Sequence, residues 1–309
     1  MRKMDSYIKI GRYVFRTGKV AGVSIKRSRK SIGNTAMVKL PNYQQELDGN
    51  IKVGDPILIK LGYDENLVEE FKGYVTGIKP TSPLEISCED ELWKIKQEEV
   101  TQSWRSTTLN EVLDFLLPGA NIETQPIVLK PFRLDKVNKA EALAKLKKEY
   151  GIDVFYRDNL WYVGFAYNES NSQHVRYHFQ KNAWMYGLQY LKREDIKLKV
   201  KAISILPDNR RITVDLGDPE GDIRTLHFYN KTESEIRSLA EEKIKQMKHD
   251  GYKGKFIGRG LPFVDHGMIV ELSDDKYQNR AGNYFVDEVV TTYDSNGFKR
   301  EIELGKKAS

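Results

Sequence analysis

The chain is a succession of short apolar–polar alternations, each cut off by glycine, proline or an acidic turn, and this limits the folds open to it. Pro56 to Tyr63 sets Ile57, Ile59, Leu61 and Tyr63 against Leu58, Lys60 and Gly62. Lys19 to Arg29 sets Ala21, Val23 and Ile25 against Gly22, Ser24 and Lys26. Period-two patterning of this length fits half-buried strands, and the turn residues between them fit antiparallel connections. Thr35 to Leu40, stopped by Pro41-Asn42, then Phe71 to Lys79 and Leu84 to Cys88 complete a first β region. Strands this short and this regularly interrupted predict a small antiparallel barrel.

Helical spacing then replaces the alternation. Leu109, Val112, Leu113, Leu116 and Leu117 form one helical face; Ser106, Thr107 or Thr108 can cap it, and Pro118-Gly119 ends it. A second helix is expected over Lys139 to Tyr150, with Asn138 and Glu141 at capping-box spacing and Gly151 as a left-handed stop. A hairpin follows, Ile152 to Arg157 and Leu160 to Phe165 about a turn at Asp158-Asn159, and then a polar loop from Tyr167 to Gln173. Strands resume at Arg176. Ile196 to Leu206 places Ile196, Leu198, Val200 and Ala202 opposite Lys197, Lys199 and Lys201, and Pro207-Asp208-Asn209 turns the chain. Thr232 and Glu235 form a capping box for a helix striped by Ile236, Leu239, Ala240, Ile244 and Met247. The closing strands, Tyr284 to Thr292 and Phe298 to Leu304, are joined by Asp294-Ser295-Asn296-Gly297, a hairpin signal.

The expected fold class is mainly β with an α+β insert: two similar small β-barrels flanking a helix-plus-hairpin region. At 309 residues the chain is too long for one ordinary core. The expected division is a first barrel over 1–100, an α+β insert over 101–175, and a second barrel over 176–309 that carries an inserted helix at about 232–250. The duplication rests on an internal echo. Gly54 opens an alternating strand and Gly73-Tyr74-Val75 begins the next; Gly267 and Gly282-Asn283-Tyr284 repeat that order after a second acidic loop, Ser273-Asp274-Asp275. The glycine-to-glycine spacings differ, 19 residues against 15, a difference that loops absorb at small entropic cost. Pro41, Gly54, Gly73, Gly267, Gly282, Tyr284 and Gly297 are therefore the candidate structural motif residues.

With these residues in view, the chain resembles the baseplate hub proteins of contractile tails. These include the late control gene D proteins of phages and the N-terminal hub part of type VI secretion spike proteins. The resemblance is carried by Ile8-Lys9-Ile10-Gly11, Val23-Ser24-Ile25 and Asn34 to Pro41 near the start. In the middle it is carried by Tyr150-Gly151-Ile152 and the hairpin Phe155 to Tyr162. At the end it is carried by Gly267 to Leu272, Gly282 to Val286, Gly297 and Glu301 to Leu304. It implies a non-enzymatic structural subunit, a homotrimer with two barrels per copy, whose six barrels form a ring joining tail tube to central spike. The implied partners are further copies of itself, the tail tube protein, the central spike protein and other baseplate subunits, with DNA or tape measure only as cargo in the lumen. It also implies a virion or tail-like particle made in the bacterial cytoplasm. The needle of the spike proteins would be a separate chain.

Chemistry-bearing patterns are sparse. There is no phosphate-binding glycine loop, no dinucleotide fingerprint and no HExxH, and no cofactor or metal is expected. Gly251, Gly254, Gly258 and Gly260 fit turns and bends. His174 and His178 lie on one strand about 13 Å apart, too far for one metal. Cys88, the single cysteine, sits on an apolar strand face as a buried thiol. Asp274-Asp275 is expected to be a solvated turn. Lys26-Arg27-Ser28-Arg29-Lys30, in a chain of net charge +6, is expected to be a flexible charged loop. No apolar run reaches the roughly 20 residues of a membrane helix, and no secretory leader is visible at Met1 to Gly11. Two other readings stay open: a basic barrel protein that grips nucleic acid, and a cell-wall hydrolase of the same particle.

Overall fold

A computed structural model of the chain describes residues 3–42, 47, 49–129, 131–164, 172–206 and 210–308. Phe165, residues 167–171 of the expected loop from Tyr167 to Gln173, and the expected turn at Pro207-Asp208-Asn209 lie outside the described residues. Strand makes up 53% and helix 15%, so the expectation of a mainly β protein holds.

The first β region contributes β1 (Met4–Ile10), β2 (Tyr13–Arg16), β3 (Gly22–Ser28), β4 (Thr35–Leu40), β5 (Pro56–Tyr63), β6 (Asn66–Lys79) and β7 (Leu84–Glu89). The alternations seen in sequence bury one face: Ile57, Ile59 and Leu61 of β5, Val23 and Ile25 of β3, Val38 and Leu40 of β4. Asp64 and Glu65 both take positive φ, 52° and 65°, which closes β5 onto β6 in a two-residue turn.

After α1 (Leu92–Ile95), the middle region holds β8 (Glu99–Trp104), β9 (Thr107–Thr108), α2 (Leu109–Leu116), β10 (Ile122–Thr124), β11 (Val128–Leu129), β12 (Phe132–Asn138), α3 (Lys139–Tyr150), β13 (Asp153–Arg157) and β14 (Leu160–Gly164). Of the three candidate caps for α2 it is Thr108 that serves, in a capping box with Glu111; the expected box of Asn138 with Glu141 forms, and Gly151 stops α3 at φ 64°. Leu109, Val112, Leu113 and Leu116 bury their stripe against Leu143, Leu146, Val154 and Trp161 in one core.

The last region holds β15 (His174–His178), β16 (Ala183–Trp184), β17 (Leu188–Leu191), β18 (Leu198–Ile205), β19 (Arg211–Gly217), β20 (Asp222–Tyr229), α4 (Glu233–Met247), β21 (Gly251–Arg259), β22 (Ile269–Ser273), β23 (Gly282–Asp294) and β24 (Gly297–Lys307). α4 begins at the expected Thr232–Glu235 capping box. It comes with a three-stranded sheet of its own, ordered β19-β18-β20. Leu198, Val200 and Ala202 of β18 pack with Ala240 of α4, while Lys201 on the opposite face is exposed.

The remaining strands of both ends form one 14-stranded ladder, β16-β21-β24-β23-β3-β4-β7-β6-β5-β1-β2, with β15 on β22 and β17 on β21. The internal echo reappears here as topology. In chain order the first region's strands β1, β3, β4, β5, β6 and β7 are laid side by side as first, fourth, fifth, sixth, third and second. The second region's β15, β16 with β17, β21, β22, β23 and β24 are laid side by side in the same permutation. The fifth strand of each, β6 and β23, is the long one, at 14 and 13 residues, and each carries register shifts that let it bend from one neighbour to the next. The two sets differ at the first strand: β1 runs antiparallel to β5, whereas β15 runs parallel to β22. They are joined where β23, the fifth strand of one, pairs with β3, the second strand of the other. Tyr293 and Phe298, at the tip of the β23–β24 hairpin, pack into the first region's core.

Candidate functional site: sheet edges and a buried polar junction

Of the sequence motif residues, Gly54 and Gly267 correspond, each just before the fourth strand of its set, whereas Gly73 stands opposite the start of β5 and Gly282 opposite the end of β22. Gly54, at φ 92°, donates its N–H to the Val75 carbonyl, and its α-carbon faces the Trp93 ring, which a β-carbon would approach to 3.2 Å. Gly73 stands opposite Ile57; a β-carbon there would lie 2.1 Å from the Glu89 carbonyl oxygen. Gly267, at φ 80°, donates to the Val286 carbonyl beside Arg157. Gly282 pairs with Leu272, and Gly297, at φ 120°, turns the closing hairpin. Pro41 follows the last residue of β4. Tyr284 is buried and its hydroxyl oxygen accepts the Tyr252 N–H at 2.9 Å. Among the described residues these are not brought together; they are spread over both strand sets. Tyr284→Phe would leave the buried Tyr252 amide without an acceptor, so chemical denaturation should register a loss of about 1–3 kcal/mol.

The expected flexible basic loop at Lys26 to Lys30 is overturned. Lys26, Arg27 and Ser28 belong to β3, and Arg27 is buried. Arg27 Nη2 donates to the Glu70 carbonyl and lies 3.2 Å from Glu70 Oε2, and its Nε lies 3.9 Å from Asp265 Oδ2. Arg29 Nε donates to Asp287 at 2.7 Å and Nη1 to Asp153 at 2.5 Å. Lys26 pairs with Glu288 at 3.0 Å and Lys30 with Glu303 at 2.6 Å. The carboxylates that hold these cations come from residues 70 to 303, so no local signal announces them. The run is a cross-strand clamp in which each cation meets a carboxylate.

At the centre of this clamp lies Arg300, fully buried on β24. Its Nη2 donates to Glu70 Oε1 at 2.5 Å, Nη1 to Glu70 Oε2 at 3.0 Å and to Thr291 Oγ1 at 2.8 Å, and Nε to the Gly260 carbonyl at 2.8 Å. Phe263 stacks under both guanidinium groups, 5.0 Å from Arg27 and 5.2 Å from Arg300. A bidentate pair with further acceptors at Thr291 and Gly260 is the geometry in which a buried charge is tolerated, whereas Arg27 Nη1 beside it is buried without a hydrogen-bond partner. Beside it, His266 is fully buried, and burial pushes its imidazole down to about 4, so the ring is neutral near pH 7. Neither ring nitrogen is hydrogen-bonded, and Phe155 meets the ring edge-on at 4.8 Å. A cavity of about 380 Å³ opens next to the clamp. Its lining mixes both signs, four Lys or Arg side chains with six Asp or Glu side chains.

Asp90 closes the first region where the chain leaves β7. It is buried, accepts the Asn34 N–H at 2.7 Å and the Leu92 N–H at 3.0 Å, and burial pushes its carboxyl up to about 7. A carboxyl that holds its proton more tightly when folded favours the folded state at low pH. That contribution is full below the ordinary carboxylate range and is lost as pH rises toward 7. Neutral His266 contributes the opposite slope over part of this range, so the expected result is a difference: the denaturation midpoint of the native chain relative to that of Asp90→Asn falls between pH 5 and pH 7.

The expectation of a solvated Asp274-Asp275 turn is half corrected. Asp275 is exposed, but Asp274 is buried and accepts from Gln180 Nε2 and the Lys276 N–H, both at 2.8 Å. His174 and His178 each face a separate carboxylate, Glu271 and Asp275, both at 3.1 Å. Among the described residues no group of three His, Cys, Asp or Glu side chains is placed to hold a metal. No described helix is long and apolar enough to cross a membrane. The glycine cluster serves close packing: a β-carbon on Gly258 would lie 2.5 Å from the Tyr177 ring, and one on Gly260 would lie 2.2 Å from the Phe298 ring. Cys88 is buried at the centre of the first core.

Comparison by sequence with known families and with curated proteins finds no match. Comparison by structure does. A 43 kDa tail protein of prophage MuSo2 from Shewanella oneidensis superposes with a TM-score of 0.62 at 16% identity, over 98% of each chain. A tail protein from Neisseria meningitidis MC58 gives 0.66 at 12% identity, over 99% of this chain and 97% of that one. The fold is that of phage tail proteins. A third structure with this tail-protein fold is the E. coli c3393 protein, described as a component of the type VI secretion system similar to T4 tail proteins gp27 and gp5. It gives 0.62 at 10% identity, over 98% of this chain and 77% of that one. The tail-protein fold covers the chain end to end in each case, including the middle region and the α4 sheet.

Proposed function

We propose that this chain is a non-enzymatic structural subunit of a phage tail or tail-like injection particle, acting at the baseplate hub. Three copies form a ring that joins a tail tube to a central spike protein. The chain is read as two barrel-like units, 1–100 and 176–309, with 101–175 between them and α4 carried by the second. The observation that carries this reading is the repeated six-strand permutation, with one unit hydrogen-bonded directly to the other through β23 and β3. Two like units per chain and three chains give six like units, which matches a sixfold tube on one side while keeping threefold symmetry toward a spike. The tail-protein fold over the full chain supports the same reading.

The nucleic-acid alternative loses its best feature, because the basic run is matched by carboxylates inside the fold. A lumen would carry DNA or tape measure as cargo only. The glycines at 54, 73, 267, 282 and 297, with Pro41 and Tyr284, serve as shape-setting residues of the two units.

Co-expression with tail tube and spike proteins of the same particle, followed by electron microscopy, tests the proposal. Rings of this chain capping one end of short tubes are the expected image. Tubes with bare ends, and a chain that purifies apart from both partners, would overturn it.

A further inference from the structure

The joint inside the chain has counterparts in two open strand edges among the described residues. Within one copy, the fifth strand of the second unit, β23, pairs antiparallel with the second strand of the first unit, β3, through Glu288↔Ser28 to Asp294↔Gly22. The counterparts of these two strands are β6 and the broken strand β16–β17, and neither is paired in the corresponding place. β6 pairs with β5 from Asn66 to Tyr74 and with β7 from Tyr74 to Lys79, and the backbone of Val75 is taken by Gly54 and Asp55. The side of residues 76–79 facing away from β7 has no partner strand among the described residues. β16 and β17 each pair with β21 alone, so their other side is open as well.

An open strand edge is a template for further pairing, and soluble proteins generally cover or blunt one. This edge is not blunted. Trp184, Met185 and Tyr186, at the end of β16, are 47%, 44% and 62% exposed, an apolar run beside unpaired backbone. We infer that the β16–β17 edge of one copy pairs antiparallel with the 76–79 edge of β6 in the next copy, repeating between chains the β3–β23 joint within each chain. The inference rests on the ring reading above and names its interface. The contact is head-to-tail: each copy offers two different edges, so copies add in one direction until the rotation closes. Main-chain hydrogen bonds carry the pairing, which places little demand on side-chain identity. The apolar run at 184–186 is covered in the ring and bare in the single chain.

Cross-linking of full-length variants tests this. Lys79→Cys and Gln189→Cys place thiols at exposed positions on the two edges. Native Cys88 is buried, and burial pushes its thiol up to about 12, so it stays silent. A bis-maleimide of about 10 Å reach, two strand spacings, tolerates a shift in register. The mixture of the two variants should give a covalent dimer that neither variant gives alone, and the double variant should give a ladder ending at the trimer. Val14→Cys on β2, at the other end of the ladder, should not link to Gln189→Cys. Oligomers by light scattering without the mixed cross-link would overturn the strand pairing and leave the ring reading standing. Linkage of Val14→Cys in preference to Lys79→Cys would overturn it in favour of the wrong edge. A chain that stays monomeric at high concentration with no mixed cross-link would overturn both.

Discussion

Replacing Glu70 by glutamine is expected to destabilise the protein by about 3–5 kcal/mol, the loss typical when one partner of a buried ion pair is removed. Glu70 is 1% exposed and is shared by two buried cations, Arg300 at 2.5 and 3.0 Å and Arg27 at 3.2 Å. An amide in its place keeps one acceptor and presents a donor to a guanidinium group, so buried Arg300 loses its counter-charge and Arg27 is left with Asp265 at 3.9 Å. The residues lie on β6, β3 and β24, so the loss is felt across the joint between the two strand sets. The control is the double variant Glu70→Leu with Arg300→Met. Removing charge on both sides should recover much of the loss, because buried pairs replaced by apolar residues of similar volume are often neutral or better. Urea denaturation of the native chain, each single variant and the double variant gives the coupling directly. A single variant within 1 kcal/mol of the native chain would show that the clamp is not formed in solution.

Gly73→Ala is the second large effect, and its contrast with Gly77→Ala makes it sharp. Both glycines lie on β6, four residues apart. A β-carbon at Gly73 would lie 2.1 Å from the Glu89 carbonyl oxygen and 2.9 Å from the Asp90 α-carbon, both backbone atoms that cannot rotate away. A β-carbon at Gly77 meets only the Ser87 β-carbon, at 3.9 Å, an ordinary contact. Forcing extra volume into a filled site costs about 1–3 kcal/mol, and the backbone contacts place Gly73→Ala at the upper end of that range. Gly77→Ala should be neutral or slightly stabilising, because alanine narrows the unfolded ensemble. Thermal melts of the two variants should separate by several degrees, about 2–4 °C per kcal/mol in a chain of this size. Equal melting temperatures would show that the β6–β7 crossing is looser than described.

The sequence by itself determined everything set by neighbours a few residues apart. The strand faces at Ile57–Ile59–Leu61, the capping boxes at Thr108, Asn138 and Thr232, the left-handed stop at Gly151 and the closing hairpin at Gly297 all depend on local spacing, and all are present. Of the echo, Gly54 and Gly267 correspond, each donating its N–H to the matching carbonyl, Val75 or Val286, whereas Gly73 and Gly282 face opposite ends of their neighbouring strands. Other features depended on partners far along the chain. Lys26 to Lys30 reads as an unmatched basic run because its carboxylates, Glu70, Asp153, Asp287, Glu288 and Glu303, lie up to 273 positions away. Asp274 reads as a solvated turn because Gln180, which covers it, is 94 positions distant. The antiparallel β1 and parallel β15, and the single ladder joining both ends of the chain, were likewise decided only in three dimensions. The physical reason is that capping and alternation are satisfied within one or two turns of backbone, whereas counter-charges and sheet neighbours are supplied by whatever the fold brings alongside.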